Sequence, residues 1–178
     1  MAAAHDIRLI LSDVDGVWTD GKIIYAGRGN EIKEFHVRDG LAVKLAQRAG
    51  IAVALLTSRT SAALERRARD LGIVEVHQGA SNKLEEAERI LRRLELTFEQ
   101  IVYAGDDLPD LAPMTRAAIS AAPADAAPEV RAAAKWKLES RGGGGAFREI
   151  VERLLRERGD WDVLVREFKH GKREGASI

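Results

Sequence analysis

The sequence predicts a three-layer α/β fold of the Rossmann-like kind, with a parallel sheet between two layers of helices. Three observations carry this. Apolar runs of strand length recur at residues 7–12 (IRLILS), 51–57 (IAVALLT) and 100–104 (QIVYA), as buried parallel strands require. Amphipathic stretches of helix length lie between them. Carboxylates, a hydroxyl and an ammonium gather just after these runs, where open parallel sheets build their sites.

The elements follow in order. After the first run, residues 21–37 (GKIIYAGRGNEIKEFHV) break the alternation. Two β-prone arms flank Gly27 and Gly29, which reads as a β-hairpin. Residues 41–49 are helical, and Gly50 closes them before the second run. A helix over 61–71 ends at Gly72, and 73–77 is a weaker strand. A helix over 83–94 precedes the third run. A short helix over 110–116 and a weak strand over 117–121 come next. Four consecutive glycines at 142–145 precede a helix over 146–156, with Phe147, Ile150, Val151, Leu154 and Leu155 on one face. Trp161, Leu164, Val165 and Phe168 repeat helical spacing, and 170–178 reads as a frayed end. The chain thus divides into one domain over 1–158, with its hairpin at about 21–37, and a C-terminal helical extension and tail over 159–178.

Composition excludes several classes. Lys+Arg and Asp+Glu are both 28, so the formal net charge is +0, which argues against a surface built to hold nucleic acid or anionic lipid. Cys is 0, which removes disulfides, thiolate metal sites and a cysteine nucleophile. The start, MAAAHDIRLIL, has no basic region before an apolar stretch, so an intracellular, cytoplasmic location is expected. Residues 27–29 lack the context of a dinucleotide loop, and the four glycines lack the Lys-Ser/Thr of a P-loop.

Chemistry concentrates on one expected sheet edge. Asp13 and Asp15 follow the first run, Thr57 ends the second, Lys83 opens a helix, and Asp106, Asp107 and Asp110 follow the third. Converging carboxylates without Cys, and with scattered His, favour a hard cation, Mg²⁺ above all. Thr57 and Lys83 suit phosphoryl oxygens. A carboxylate can attack phosphorus, giving an aspartyl-phosphate. If the strand runs on through Asp13 and Asp15, both point the same way, so one can attack while the other handles the leaving-group proton.

The stretch Asp13-Val14-Asp15-Gly16 resembles the first signature of the haloacid dehalogenase superfamily. Thr57, Lys83 and the Gly105–Asp110 stretch resemble its second, third and fourth motifs, in order. Residues 35–40 (FHVRDG) and 142–149 (GGGGAFRE) more narrowly resemble the 3-deoxy-D-manno-octulosonate 8-phosphate phosphatases, cytoplasmic enzymes of lipopolysaccharide-precursor synthesis. The resemblance spans about residues 8–155. It implies that Asp13 is the nucleophile and Asp15 the general acid/base. It implies a Mg²⁺ site of Asp13, the Asp15 carbonyl and Asp106, with Asp107 and Asp110 in support. Thr57 and Lys83 would hold the phosphoryl group. Lys33, Arg38, Arg59, Gly143 and Gly144 are candidates for substrate binding, the glycines as a lid. Asp107 and Asp110 are alternatively helix caps, and Arg59, Lys33 and Arg38 alternatively surface cations. Trp18, Ser58 and Asn82 depart from the family's usual smaller aliphatic residue, Gly and Asp, and bear on substrate choice.

The resemblance also implies a fold without a cap domain and with a hairpin insertion, since the stretches between motifs are filled by the elements above. A homotetramer is expected, the hairpin of one subunit covering its neighbour's site with Lys33 acting in trans. The expected reaction is Mg²⁺-dependent hydrolysis of the eight-carbon sugar acid phosphate. A nine-carbon relative or another small phosphosugar is the alternative substrate. A receiver-like phosphoacceptor module and a catalytically silent oligomerisation module are the non-enzyme alternatives. Nucleic acid and membrane partners are not expected.

Overall fold

The structure, a computed structural model, describes residues 4–27 and 31–171. Six parallel strands form the sheet: β1 (Leu9–Ser12), β4 (Ala52–Leu56), β5 (Glu75–His77), β6 (Ile101–Ala104), β7 (Ile119–Ala122) and β8 (Trp136–Lys137). Their order is β5-β4-β1-β6-β7-β8. The chain therefore reverses direction across the sheet at β1, and β1 and β6 flank the crevice that such a reversal opens. Ser12 is in register with both Leu55 and Ala104, so Asp13, Thr57 and Asp106 leave the sheet on one edge.

Side-chain alternation splits the core in two. Ile10, Val53, Leu55, Val102 and Ala104 face one layer. It is made by α1 (Val37–Arg48), α2 (Ala62–Leu71), α6 (Ala146–Arg158) and α7 (Trp161–Lys169). Leu9, Leu11, Ala54, Leu56, Ile101 and Tyr103 face the other, made by α3 (Lys83–Arg93), α4 (Leu111–Arg116) and α5 (Pro128–Ala133). The five apolar residues expected on one face of α6 are all buried. On α7, Trp161 and Leu164 are buried, and the Arg148 and Arg156 guanidinium groups each lie 5.0 Å from the Trp161 ring centroid. Among the described residues, no helix is long and apolar enough to cross a membrane.

Several boundaries differ from expectation for local reasons. The hairpin is two short antiparallel strands, β2 (Ile24–Tyr25) and β3 (Glu31–Ile32), and does not reach residue 37. His36 accepts a hydrogen bond from the Arg38 amide and caps α1, so the helix begins at Val37 rather than Leu41. β1 ends at Ser12, not beyond, because residues 13–19 turn: the amides of Val17 and Trp18 donate to the Val14 carbonyl. α5 and β8 were not foreseen, since an alanine-rich stretch carries no apolar period and a two-residue strand leaves none. The end of the expected fray, 172–178, and the hairpin tip, 28–30, lie outside the described residues.

One buried carboxylate joins the helices. Asp39 in the first turn of α1 is 1% exposed. Its Oδ1 accepts the Arg148 amide at 2.7 Å, capping α6 from another helix, while its Oδ2 has no partner. Burial pushes its carboxyl up to about 6, against the Arg148 amide and the charges of His36 and Arg67. A folded-state value above the unfolded one means that this group's contribution is full below pH 3.8 and is lost as pH rises through about 6. The isosteric Asp39→Asn variant keeps an acceptor and cannot ionise. In denaturant titrations its stability relative to the parent chain should rise by about 2 kcal/mol between pH 4 and pH 7. A gap that does not change with pH contradicts this account.

Candidate active site

The ammonium of Lys83, first residue of α3, lies between two carboxylates. It is 2.7 Å from Asp13 Oδ2 and 2.8 Å from Asp110 Oδ1. Asn82 sets this helix start, its side chain accepting the amides of Leu84 and Glu85. Asp110 is fully buried and saturated: Tyr103 donates to Oδ1 at 2.8 Å, and the amides of Asp106 and Asp107 donate to Oδ2 at 3.3 and 3.4 Å. Thr57 sits beyond β4, its amide bonded to the His77 carbonyl of β5, and its Oγ1 accepts the Arg59 amide while its own proton stays available.

Asp13, Asp106 and Asp110 bring carboxylate oxygens within 4.8 Å of one another. Burial first, then the Asp13 and Asp110 charges, pushes Asp106 up to about 8. Burial and the Asp110 charge push Asp13 up to about 6, against the pull of Lys83. Burial works against the charge of Lys83, yet Asp13 and Asp110 outweigh it and hold its value above the ordinary one. One ammonium thus serves three crowded carboxylates. The backbone makes the crowding possible: a Cβ on Gly16 would lie 1.9 Å from Asp106 Oδ2, so only glycine lets the acid reach the turn. An oxygen-only donor set with surplus negative charge fits Mg²⁺.

Asp15 joins the cavity from the same turn. Its Oδ1 contacts the Lys33 ammonium and accepts from Thr19 at 3.4 Å. Its Oδ2 is buried without a hydrogen bond and lies 3.8 Å from Arg59 Nε, which also has none. The two opposite charges thus meet across this gap without a hydrogen bond. Glu31 Oε1 ties Arg59 at 2.8 Å and Lys33 at 3.5 Å, linking the hairpin to the site.

The structure therefore brings Asp13, Asp15, Thr57, Lys83, Asp106 and Arg59 to one cavity of about 260 Å³. Other expectations are corrected. Asp107 lines the cavity, but its carboxylate caps the Leu108 amide and stands outside the acidic cluster. Asp110 belongs to the acidic cluster, as expected, and also anchors the turn and Lys83. Lys33 is buried in its own chain's site, its ammonium against Asp15. Arg38 is exposed on α1, along a separate groove that Gly144 also lines. Gly143 packs on the turn at Val17, so the four glycines do not form a free lid. Tyr103 and Glu31 were missed. The strand alternation that turns Tyr103 toward α3 was a usable signal; nothing marked Glu31. A larger groove of about 640 Å³ lies beside Phe98 and Arg116 and carries an ordinary surface ion pair, Arg116 with Glu88.

The chain is similar to known proteins over most of its length. A family model for haloacid dehalogenase-like hydrolases matches residues 68–150. A 3-deoxy-D-manno-octulosonate 8-phosphate phosphatase of Salmonella typhi is 41% identical over 162 residues, 91% of this chain and 86% of the relative. The crystal structure of the phosphatase of that name from Moraxella catarrhalis, in complex with magnesium, phosphate and KDO, superposes with a TM-score of 0.90 at 36% identity. The match covers 93% of this chain and 95% of that one. The Yersinia pestis phosphatase structure gives a TM-score of 0.87 at 39% identity, covering 89% and 86%.

The crowded carboxylates set a test that needs no substrate. Asp106→Asn removes a charge that its neighbours repel. Without metal, this variant should melt above the parent chain. With millimolar Mg²⁺ the parent should gain melting temperature and the variant should gain almost none. An equal Mg²⁺ shift in both would remove Asp106 from the cation cradle.

Proposed function

The chain belongs to the 3-deoxy-D-manno-octulosonate 8-phosphate phosphatase family of haloacid dehalogenase-like hydrolases, and on that premise we propose that it hydrolyses this phosphate ester with Mg²⁺. The products are the free eight-carbon sugar acid and inorganic phosphate. The observation that carries the reading is the placement of Lys83 against Asp13 inside the cavity that Thr57, Asp15 and Asp106 line.

Asp13 acts as nucleophile. Its carboxylate oxygen bonds to phosphorus as the ester P–O bond breaks, giving an aspartyl-phosphate. Lys83 and the Thr57 hydroxyl hold the phosphoryl oxygens, and Lys83 also orients Asp13. Asp15 gives a proton to the leaving sugar oxygen, then takes one from the water that attacks phosphorus and frees Asp13. Asp13, Asp106 and the Asp15 carbonyl would hold the Mg²⁺. When bound, the cation neutralises the converging carboxylates and the phosphoryl group. Asp110 and Asp107 support this site through the backbone and Lys83, not as ligands. Arg59, beside Asp15 and open to the cavity, receives the sugar acid's own carboxylate, and Lys33 joins it from the hairpin. A cytoplasmic location goes with this reading.

Assembly is part of the proposal. Ile23, Ile24, Tyr25 and Ile32 on the hairpin are 49%, 38%, 75% and 47% exposed, more apolar surface than a lone subunit usually leaves on two short strands. We infer a homotetramer in which this hairpin meets a neighbour, while Lys33 serves its own site.

Three experiments test the reading. Asp13→Asn keeps shape and removes the attacking charge, so turnover should fall by about 10³-fold or more while the fold persists. Near-normal turnover would falsify covalent attack by Asp13. A phosphate-release screen over sugar phosphates should rank the eight-carbon acid first, and faster turnover of a nine-carbon acid would reassign the substrate. Sedimentation should show a tetramer that Tyr25→Asp dissociates with loss of turnover. A fully active monomer at assay concentration rules the assembly out.

A further inference from the structure

The loop at 141–145 meets the first acidic turn backbone to backbone. The Gly143 amide donates to the Val17 carbonyl at 3.1 Å. Gly142 comes closer still. A Cβ there would lie 2.1 Å from the Gly16 carbonyl oxygen and 2.8 Å from that of Thr19. No rotamer relieves an overlap of Cβ with two backbone carbonyls, so only glycine allows this approach. Gly16 in turn lies against the Asp106 carboxylate. Loop, turn and metal-binding acid are thus in contact one after another.

The loop is fixed on both flanks. The Glu149 carboxylate accepts the amides of Glu139 at 3.0 Å and Ser140 at 2.8 Å. Asp125 accepts the Gly142 amide at 2.9 Å. Asp39 caps the helix that follows, and the Phe147 ring in its first turn lies 4.2 Å from that of Trp18 on the acidic turn. A segment tied at these points has few ways to swing open.

We propose that the glycine loop is a fixed buttress for the first acidic turn, and that Gly142 is a positioning residue. By letting the loop press on Gly16, it sets how near the Asp15–Gly16 turn comes to Asp106 across the cation cradle. The inference rests on the functional reading above. Gly144 does not share the role: a Cβ there meets only the Arg141 carbonyl of its own turn, at 3.1 Å, which a small local adjustment accommodates.

The test compares Mg²⁺ binding by calorimetry on the full chain with turnover and melting temperature. Gly142→Ala should weaken Mg²⁺ binding by about tenfold, the scale of a lost outer partner of a metal site, and turnover should fall with it. Gly144→Ala should bind Mg²⁺ as the parent does. Asp125→Ala frees the Gly142 amide without adding bulk, and should weaken Mg²⁺ binding in the same direction at an unchanged melting temperature. Parent-like Mg²⁺ binding by Gly142→Ala overturns the buttress, as does parent-like binding by Asp125→Ala should Gly142→Ala fail to fold. Equal losses in Gly142→Ala and Gly144→Ala overturn it too, because loop freedom and not contact would then matter. A parent chain that takes up no Mg²⁺ overturns the functional reading itself, an outcome distinct from all of these.

Discussion

The ammonium of Lys83 reaches Asp13 and Asp110 at 2.7 and 2.8 Å with its side chain only 4% exposed, and the rest of the site is arranged around keeping it there. A buried ion pair of this kind survives only when every remaining lone pair is met, and removing one partner typically costs about 3–5 kcal/mol. Asp110 meets that condition through Tyr103 and two backbone amides. Asp13 and Asp106 are held differently: burial and the neighbouring carboxylates push them up to about 6 and about 8. The imbalance is what gives the site its appetite for a cation. The fold supplies one positive charge where three carboxylates converge and leaves the remainder to a ligand.

Such crowding needs backbone that can come close and then hold still. Gly16 supplies the approach. Stillness comes from the neighbours of the turn. Trp18 donates its indole proton to Ser12 Oγ at 3.0 Å, and Ser12 donates to the Asp13 carbonyl at 2.7 Å. The indole also packs on Phe147 of α6. Trp18, which departs from the family's usual aliphatic residue, thus fills space and makes a hydrogen bond that an aliphatic side chain lacks. Its burial at 1% exposure makes it a core residue of the site's scaffold, not a residue that selects substrate.

The hairpin divides its work between its two sides. Glu31 and Lys33 turn inward and join Arg59 and Asp15 in one network of charge. Ile24 and Ile32, opposite each other across the two strands, turn the other way and stay exposed. Two strands of two residues each have little stability of their own, so the inward ion pairs hold the hairpin against the domain and fix which face remains open.

The sequence by itself determined the sheet, most of its helices and the acids, hydroxyl and ammonium at its edge. Each of these follows from local pattern: apolar runs make the parallel strands, and a parallel sheet puts all their carboxyl ends on one side. Asp13, Thr57 and Asp106 were legible for that reason, and Lys83 because it opens a helix between two such strands. Only the tertiary structure decided what binds what. Tyr103 with Asp110, Glu31 with Arg59, Asp39 with Arg148 and Gly142 with Gly16 are contacts between side chains or backbones whose sequence spacing carries no period. It also decided that Asp110 anchors and Asp107 caps, since a carboxylate's role depends on which donors surround it. Lys33 in its own site and the closed glycine loop belong to the same class. Such pairings are set by how layers pack, and packing is a property of the whole chain that no single stretch of it encodes.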